Sequence, residues 1–204
     1  MTKRVSLNIS EVHKCFLWLP AKTATSHATH ILNHFEFYNL DCDYTKKIIY
    51  FKRDYVGHNH VQSPFLGHER YDLISTTRNP YTRAVSMFEY FQPYHMDWKK
   101  FKTFQDYVYH LKSLPIKPYF DQRIPDYFIR QENLYEDYIK IPFIRDSKLN
   151  TCGILEELCS RKMNEGRPTL KTYKEYYNQE LADIIYLNYK EYFDHLSYDK
   201  DSWM

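Results

Sequence analysis

Glycine is scarce in this chain of 204 residues, which contains only four of them. They are Gly57, Gly67, Gly153 and Gly166. No two have the spacing of a dinucleotide-binding G-x-G-x-x-G loop or of a Walker-type G-x-x-x-x-G-K-S/T loop. The sequence therefore excludes a glycine-rich phosphate loop, and it also excludes collagen-like segments and glycine-serine linkers.

Long apolar runs and a large excess of one charge are also missing. The longest unbroken apolar run, residues 15–19, is too short for a membrane span or for the core of a signal peptide. We therefore expect a soluble, cytoplasmic protein with no membrane span. The net charge of +2 gives no global argument for binding nucleic acid, although it is compatible with a local anion pocket.

The four cysteines form no C-x-x-C pair. Without a secretory signal we expect all four, including Cys15 and Cys42, to be reduced thiols. Cys152 and Cys159 are seven residues apart in a helical pattern, so we expect both to face the core.

The remaining composition is that of a globular protein. Hydrophobic residues make up 43 % of the chain, and residues 1–204 show no repeat or break in composition, so we expect one domain. Aromatic residues reach 18 %, with 21 tyrosines whose rings can lie half-buried at the edge of a core or cleft.

Predicted strands alternate with predicted helices along the chain. The strands are residues 15–19, 47–52, 71–77 and 127–131. The predicted helices run from Thr25 or Ser26 to about residue 38, from Pro80 to about residue 91 and from Thr103 to about residue 114. Two more are predicted near residues 151–162 and 172–194. A loop rich in proline covers residues 115–125. This order predicts a three-layer α/β/α fold whose central sheet is mostly parallel and has about four to five strands.

The loop after the first predicted strand has the chemistry of an anion site. Main-chain N–H groups at a helix N-terminus attract anions, and Thr23, Thr25 and Ser26 can add hydroxyl donors. Lys22 adds a full positive charge that could stabilise a leaving oxygen. The alternative is an ordinary capped helix with a solvated Lys22.

A second segment, residues 77–86, follows the strand at 71–77. Arg78 stands at the strand end, and Arg83 and Ser86 follow on the predicted helix that begins at Pro80. The planar guanidinium group matches phosphate oxygens. The alternative is that both arginines pair with surface carboxylates.

The first segment resembles a signature of sulfotransferases that use 3′-phosphoadenosine 5′-phosphosulfate (PAPS). That signature reads approximately Pro-Lys-Ser/Thr-Gly-Thr-Thr/Ser and is matched by Lys22, Thr23, Thr25 and Ser26. The resemblance implies that this loop binds the 5′-phosphosulfate and that Lys22 contacts the bridging oxygen. The chain departs from the family in two places. Ala24 replaces the loop glycine, and Ala21 separates Pro20 from the lysine.

The second segment resembles the other nucleotide-binding signature of this family, Arg-Asp/Asn-Pro followed after five residues by Ser. Arg78, Asn79, Pro80 and Ser86 match it, and Arg83 matches a frequent additional arginine. The resemblance implies that the arginine and the serine bind the 3′-phosphate. The implied cofactor-binding residues are Lys22, Thr23, Ala24, Thr25, Ser26, Arg78, Arg83 and Ser86.

Weaker similarity extends the resemblance over about residues 14–198. Residues 130–137 are similar to the family's strand that ends in Glu-Asn-Leu, and residues 167–177 to its cofactor-covering loop. The resemblance is to the carbohydrate-type enzymes and implies their P-loop-like, nucleotide-kinase-like fold. Many eukaryotic relatives are anchored in the Golgi membrane. Because this sequence has no apolar run long enough for such an anchor, we expect a bacterial or viral enzyme or a trimmed chain.

A sulfotransferase also needs a base to accept the proton of the acceptor hydroxyl. The best-placed candidates are His60 and, narrowly behind it, His58, with His68 and Glu69 next. The resemblance supports this region, because carbohydrate sulfotransferases often carry a histidine-containing segment there. The alternative is that these are exposed loop histidines.

Two other groups of residues are given less weight. His27, His30 and His34 share one helical face, but a metal site there needs a further ligand, so we expect no metal. The basic residues within 46–53 surround two aromatic residues, but a strand with flanking charges explains them without nucleic acid.

The sequence thus predicts an enzyme that transfers a sulfuryl group from PAPS to a hydroxyl, on a carbohydrate rather than on a small phenol. The product would be 3′-phosphoadenosine 5′-phosphate (PAP). Two alternatives stay open: a non-catalytic nucleotide-binding module of the same fold, and a nucleotide or small-molecule kinase.

Overall fold

The computed structural model describes residues 4–43, 48–53, 71–114, 124–161 and 171–204. Side chains are described outside residues 4–7, 38–43 and 48–53. Internal contacts divide the chain into two compact units. The first consists of Met1–Thr77 and Gln122–Asn164, and the second of Arg78–Asp121 and Glu165–Met204. The assignment of residues 1–204 to one domain stays a prediction.

The first unit contains a mixed sheet of six strands with the order β4-β3-β1-β2-β5-β6. The strands are β1 (Arg4–Ser10), β2 (Cys15–Trp18), β3 (Tyr38–Asp43), β4 (Ile48–Arg53), β5 (Asp72–Thr77) and β6 (Tyr127–Arg130). β5 is parallel to both β2 and β6, whereas the pairings β1–β2, β1–β3 and β3–β4 are antiparallel. The expectation of an α/β class is confirmed, but the sheet is mixed rather than mostly parallel.

The described helices, in chain order, are distributed over both units. They are α1 (Thr25–Leu32), α2 (Pro80–Phe91), α3 (Phe104–Ser113), α4 (Leu134–Tyr138), α5 (Pro142–Arg145), α6 (Lys148–Thr151), α7 (Ile154–Ser160), α8 (Gln179–Asn188) and α9 (Lys190–Leu196). Short 3-10 turns lie at Met96–Trp98, Gln131–Asn133 and Tyr173–Tyr176.

The core of the first unit lies on one face of the parallel part of the sheet. Alternate residues of β2 point to this face, because successive side chains of a strand point to opposite sides. They pack with Ile74 of β5, Ile129 of β6 and the apolar residues of α1, α4, α5 and α7. The buried members from β2, from the residue that follows it and from α1 are Cys15, Leu17, Leu19, Ala28, Ile31 and Leu32.

The second unit has a separate core built from α2, α3, α8 and α9. Its rings meet edge to face, as for Phe88 and Phe104 (centroids 5.8 Å apart) and for Tyr81 and Phe193 (5.2 Å). The buried face of α2 consists of Pro80, Tyr81, Ala84, Val85 and Phe88. The other side of this helix, which carries Thr82, Arg83 and Ser86, is therefore half-exposed.

Two helix starts agree with the sequence prediction. Pro80 is the first residue of α2 and Asn79 is its N-cap, with Oδ1 accepting from the Tyr81 N–H over 2.9 Å. The helix predicted to begin at Thr103 is α3, and Thr103 and Asp106 form a capping box at its start. No helix in the described part of the chain is long and apolar enough to cross a membrane.

Three predicted helices are shorter or divided. α1 ends at Leu32 rather than near Tyr38, where β3 begins. The helix predicted at 151–162 is divided at Gly153, whose φ of +74° is left-handed and which caps α7. The helix predicted at 172–194 is divided into a 3-10 turn, α8 and α9, because Asn178 caps α8 and Tyr189 has non-helical angles.

The cysteine predictions have a mixed outcome. Cys15, Cys152 and Cys159 are free thiols, in agreement with the prediction, while the side chain of Cys42 lies outside the described residues. Cys152 is exposed, so the expectation that it faces the core together with Cys159 is wrong. The break at Gly153 explains the difference, because Cys152 caps the end of α6 whereas Cys159 lies in α7, so the two cysteines do not share one helical face.

Candidate functional site

The loop between β2 and α1 is folded around the carbonyl oxygen of Pro20. The hydroxyls of Thr23 and Thr25 both donate to this oxygen, at 2.6 and 2.8 Å, and both side chains are buried. Thr23 also accepts from the hydroxyl of Thr76 in β5 over 2.7 Å, since its own hydrogen is used by Pro20. These bonds fix the path of the loop and attach it to the neighbouring strand.

Two non-glycine residues in this loop have left-handed backbone conformations. φ is +61° at Lys22 and +62° at Ala24, and ψ at Ala24 is 27°. This conformation costs an L-residue about 1–2 kcal/mol. Ala24 thus adopts the backbone conformation that a glycine would supply at the same position. Strain of this kind persists only where the surrounding structure enforces it, and it is concentrated at functional sites.

Ala24 is also the N-cap of α1, and its methyl group cannot cap the helix with a hydrogen bond. The first turn contains no acidic residue. Main-chain N–H groups and the helix dipole therefore give this end of α1 a positive potential. Since the hydroxyls of Thr23 and Thr25 donate to Pro20, an anion would be bound chiefly by the main chain, Lys22 and Ser26, both half-buried.

His27 in the same helix is buried in the first unit. Its Nε2–H donates to the carbonyl oxygen of Leu158 over 3.0 Å, and Nδ1 lies 3.5 Å from the Tyr138 hydroxyl. Burial lowers the pKa of this imidazole. His30 and His34 are exposed. Among the described residues no group of three or more His, Cys, Asp or Glu could hold a metal ion.

The second segment begins directly after β5, with Arg78. The Arg78 Nε–H donates to the Thr82 hydroxyl over 2.8 Å, and that hydroxyl donates to the carbonyl oxygen of Asn79 over 3.0 Å. The guanidinium group is therefore oriented by the first turn of α2. Sequence reasoning missed Thr82, although its position four residues after the arginine is a usable signal.

Arg83 and Ser86 lie on the half-exposed side of α2. The Arg83 guanidinium carbon is 6.0 Å from the centroid of the Tyr189 ring, which is within the range of a cation–π contact. Ser86 is one helical turn beyond Thr82, so the two hydroxyls share a side of the helix. Both predicted phosphate ligands of α2 are thus positioned by the same regular helix.

The strands that lead into the two segments are parallel neighbours. β2 pairs with β5 in a register that places Trp18 opposite Ser75. Each candidate segment thus follows the carboxyl end of one of two adjacent strands, which is where open α/β sheets bind ligands.

The buried carboxylate of Asp137, the last of residues 130–137, pairs with two partly exposed cations at the end of β6. Asp137 is 1 % exposed and accepts from Arg130 through Nε and Nη2, both at 2.8 Å, and from Lys140 Nζ at 2.7 Å. Burial raises the pKa of Asp137, but the hydrogen bonds from Arg130 and Lys140 outweigh it, so the pKa lies below its usual value. This cluster fixes the turn after β6.

The candidate bases lie outside the described residues. They are His58, His60, His68 and Glu69. Residues 162–170, which include the first part of the predicted cofactor-covering loop, also lie outside them. The assignment of a base stays a prediction.

Comparison with known proteins finds no matching family model, no matching curated protein and no matching solved structure.

Proposed function

We propose that this chain is a sulfotransferase that transfers a sulfuryl group from PAPS to a hydroxyl, with a carbohydrate as the acceptor. One observation carries the proposal. The two signature-like segments, each with its basic residue, follow the carboxyl ends of two adjacent parallel strands, in the order expected from the resemblance.

The geometry of the first loop supports the binding of a phosphosulfate. Left-handed backbone at Lys22 and Ala24 leads into a helix whose first turn lacks an acidic residue and a side-chain cap. Lys22 would stabilise the negative charge that develops on the leaving phosphate oxygen. The family signature has glycine where this chain has Ala24. Because Ala24 itself has a left-handed φ, the loop keeps a conformation that glycine would also adopt.

In the second segment, Arg78 would hold the 3′-phosphate, with Arg83 and Ser86. A planar guanidinium group recognises phosphate most strongly when its orientation is fixed beforehand. Thr82 provides that orientation.

The proposed reaction is an in-line transfer between two oxygens. The bond from sulfur to the bridging phosphate oxygen breaks, and a bond from sulfur to the acceptor oxygen forms. The acceptor hydroxyl gives its proton to a base, for which His60 and then His58 are the candidates. The protein contributes chiefly positioning and electrostatic stabilisation, as in the related transfer of phosphoryl groups.

The proposal is tested by calorimetry with PAP and by transfer of radiolabel from PAPS to a panel of carbohydrate acceptors. We expect Arg78→Ala to weaken PAP binding by about 1.5–3 kcal/mol, the range for a charge-assisted contact. Lys22→Ala should abolish most of the transfer. The exposed Lys112 serves as a control, since Lys112→Ala removes a positive charge outside both segments.

Each outcome of this test distinguishes among the functions. Absence of PAP binding by the wild type contradicts the proposal. Tight PAP binding without transfer to any acceptor would indicate the non-catalytic module, and ATP binding stronger than PAP binding would indicate a kinase.

A further inference from the structure

Two buried polar atoms in the first unit lack a hydrogen-bond partner. In the described part of the chain these are Thr77 Oγ1 and Gln131 Oε1. Thr77 is only 1 % exposed. Native structures satisfy almost all buried polar groups, so each unsatisfied one requires an explanation.

The topology brings these two residues to the same edge of the sheet. Thr77 is the last residue of β5, and its register partner across the parallel pairing is Arg130, the last residue of β6. Gln131 directly follows Arg130 and begins a 3-10 turn. Both unsatisfied atoms therefore belong to the carboxyl edge of two adjacent parallel strands, where α/β sheets bind ligands.

The neighbouring polar groups at this edge have partners. Thr76, the residue before Thr77, shares a hydrogen bond with Thr23, and Asp137 accepts from both Arg130 and Lys140. The lack of partners is thus specific to Thr77 and Gln131, and it is not a general property of this part of the sheet.

The chemistry of the two atoms defines the group that would complement them. A glutamine Oε1 only accepts, so its partner must carry a hydrogen, whereas a threonine hydroxyl both donates and accepts. A fully ionised sulfate, phosphate or carboxylate has no hydrogen for Gln131. A cation would be buried without a counterion, because Asp137 is already paired with Arg130 and Lys140.

We infer that Thr77 and Gln131 bind a neutral hydroxyl group of a carbohydrate or similar polyol. Such a hydroxyl donates to Gln131 Oε1 and accepts from Thr77 Oγ1. Gln131 is half-buried, so part of its side chain is accessible to a ligand that arrives from solvent. Calling this ligand the sulfuryl acceptor rests on the proposed function, but the binding site itself does not.

The test measures binding of neutral saccharides (glucose, galactose, maltose and cellobiose) to the full chain by calorimetry and saturation-transfer NMR. We expect at least one saccharide to bind, and Thr77→Val and Gln131→Met each to weaken its binding about tenfold or more, the effect of one buried hydrogen bond. Thr76→Val is the matched control, because it removes a satisfied hydroxyl from the same strand. It should lower the melting temperature and leave saccharide affinity unchanged.

The melting temperature of the saccharide-free protein provides the second measurement. Removal of an unpaired buried hydroxyl should leave it unchanged or raise it, so Thr77→Val should melt no lower than the wild type. If Thr77→Val melts as low as Thr76→Val, an internal water satisfies the hydroxyl and the inference is wrong. It is equally wrong if no saccharide binds, or if Thr77→Val binds saccharide like the wild type.

Parallel titrations with PAP separate this inference from the proposed function. Saccharide binding that depends on Thr77, in a protein that does not bind PAP, would support the site and contradict the sulfotransferase. PAP binding and transfer by a protein whose saccharide binding is insensitive to Thr77→Val would support the sulfotransferase and contradict the site.

Discussion

The Nε–H of Arg78 donates to the hydroxyl of Thr82, one helical turn further along the chain, over 2.8 Å. The Thr82 hydroxyl donates a hydrogen bond to the carbonyl oxygen of Asn79, so its lone pairs are oriented to accept from the arginine. The orientation of the guanidinium group is therefore set by the start of α2. A phosphate would meet the Nη end of the group, because contact through Nε would break the bond to Thr82.

The first prediction concerns this orientation. Thr82→Val removes the hydroxyl and keeps the shape of the side chain, so Arg78 loses its fixed direction. We expect PAP affinity to fall about three- to tenfold, the equivalent of one net hydrogen bond, in calorimetric titrations. Thr82→Ser keeps the hydroxyl and should bind like the wild type.

The control is Thr151→Val, which removes another threonine hydroxyl that donates to a helical carbonyl but has no arginine bound to it. This variant should leave PAP affinity unchanged. Equal affinity of Thr82→Val and the wild type would show that the bond does not position Arg78 for a phosphate.

A second prediction concerns the strained loop. Ala24→Gly relieves a left-handed conformation that costs about 1–2 kcal/mol, but it also makes the unfolded chain more flexible, at about 0.4–1 kcal/mol. We expect a net gain in unfolding free energy of up to about 1.5 kcal/mol, measured by urea denaturation. PAP binding should be retained, because the loop keeps its path.

Ala21→Gly is the matched control for this loop, since Ala21 does not have a positive φ. Glycine at this position brings only the entropic cost, so the variant should be less stable than the wild type. If the two glycine variants lose the same stability, the left-handed conformation of Ala24 carries no strain.

A third prediction concerns the buried carboxylate of Asp137. Asp137→Asn leaves Arg130 without its counterion. Because the Arg130 side chain is 26 % exposed and water can partly solvate it, we expect a loss of about 1.5–3 kcal/mol, the range for hydrogen bonds to charged groups. Chemical denaturation should show a loss of this size. Asp146→Asn breaks the exposed pair with Arg145, whose side chains are 65 % and 55 % exposed, and should have little effect. Equal losses in the two variants would show that the pairing of Asp137 with Arg130 and Lys140 stabilises the fold no more than an exposed ion pair does.

Local signals in the sequence predict local features of the fold well. Asn79-Pro80 and the pair Thr103 and Asp106 mark helix starts correctly, because a cap acts over about three residues. Alternating apolar residues at Val5, Leu7 and Ile9 also indicate a strand, and β1 lies there. The sequence YNLDCD of β3 alternates in the same way, with Tyr38, Leu40 and Cys42 as its apolar residues, yet neither β1 nor β3 is among the predicted strands. The pattern does not give the antiparallel pairing of β3 with β1, because a pairing depends on residues that are distant in the chain.

Features that depend on distant residues could not be predicted. The sequence marks Ala24 as a departure from the family pattern but does not give its φ, because the loop is held by the bond between Thr23 and Thr76, which are 53 residues apart in sequence. Likewise, Thr77 and Gln131 are recognised as a pair only through the register of β5 and β6. The candidate segments could thus be located from sequence, but their geometry could not.

The last prediction concerns the pH dependence of stability at His27. Burial lowers the pKa of this imidazole below 6.5, its ordinary value, although the hydrogen bond to Leu158 opposes the shift. The unfolded chain therefore takes up a proton at a higher pH than the folded protein does. The stability from His27 is complete above its unfolded pKa and is lost as pH falls through the lower, folded value.

His27→Gln should show a flatter decline of unfolding free energy than the wild type between about pH 8 and pH 5. His34→Gln, at an exposed position of the sequence that follows α1, should decline as the wild type does. Because burial also lowers the pKa of His13, some pH dependence remains in every variant, and the slope difference between wild type and His27→Gln is the quantity to measure. Identical slopes would mean that the buried imidazole takes up its proton without opposing the fold.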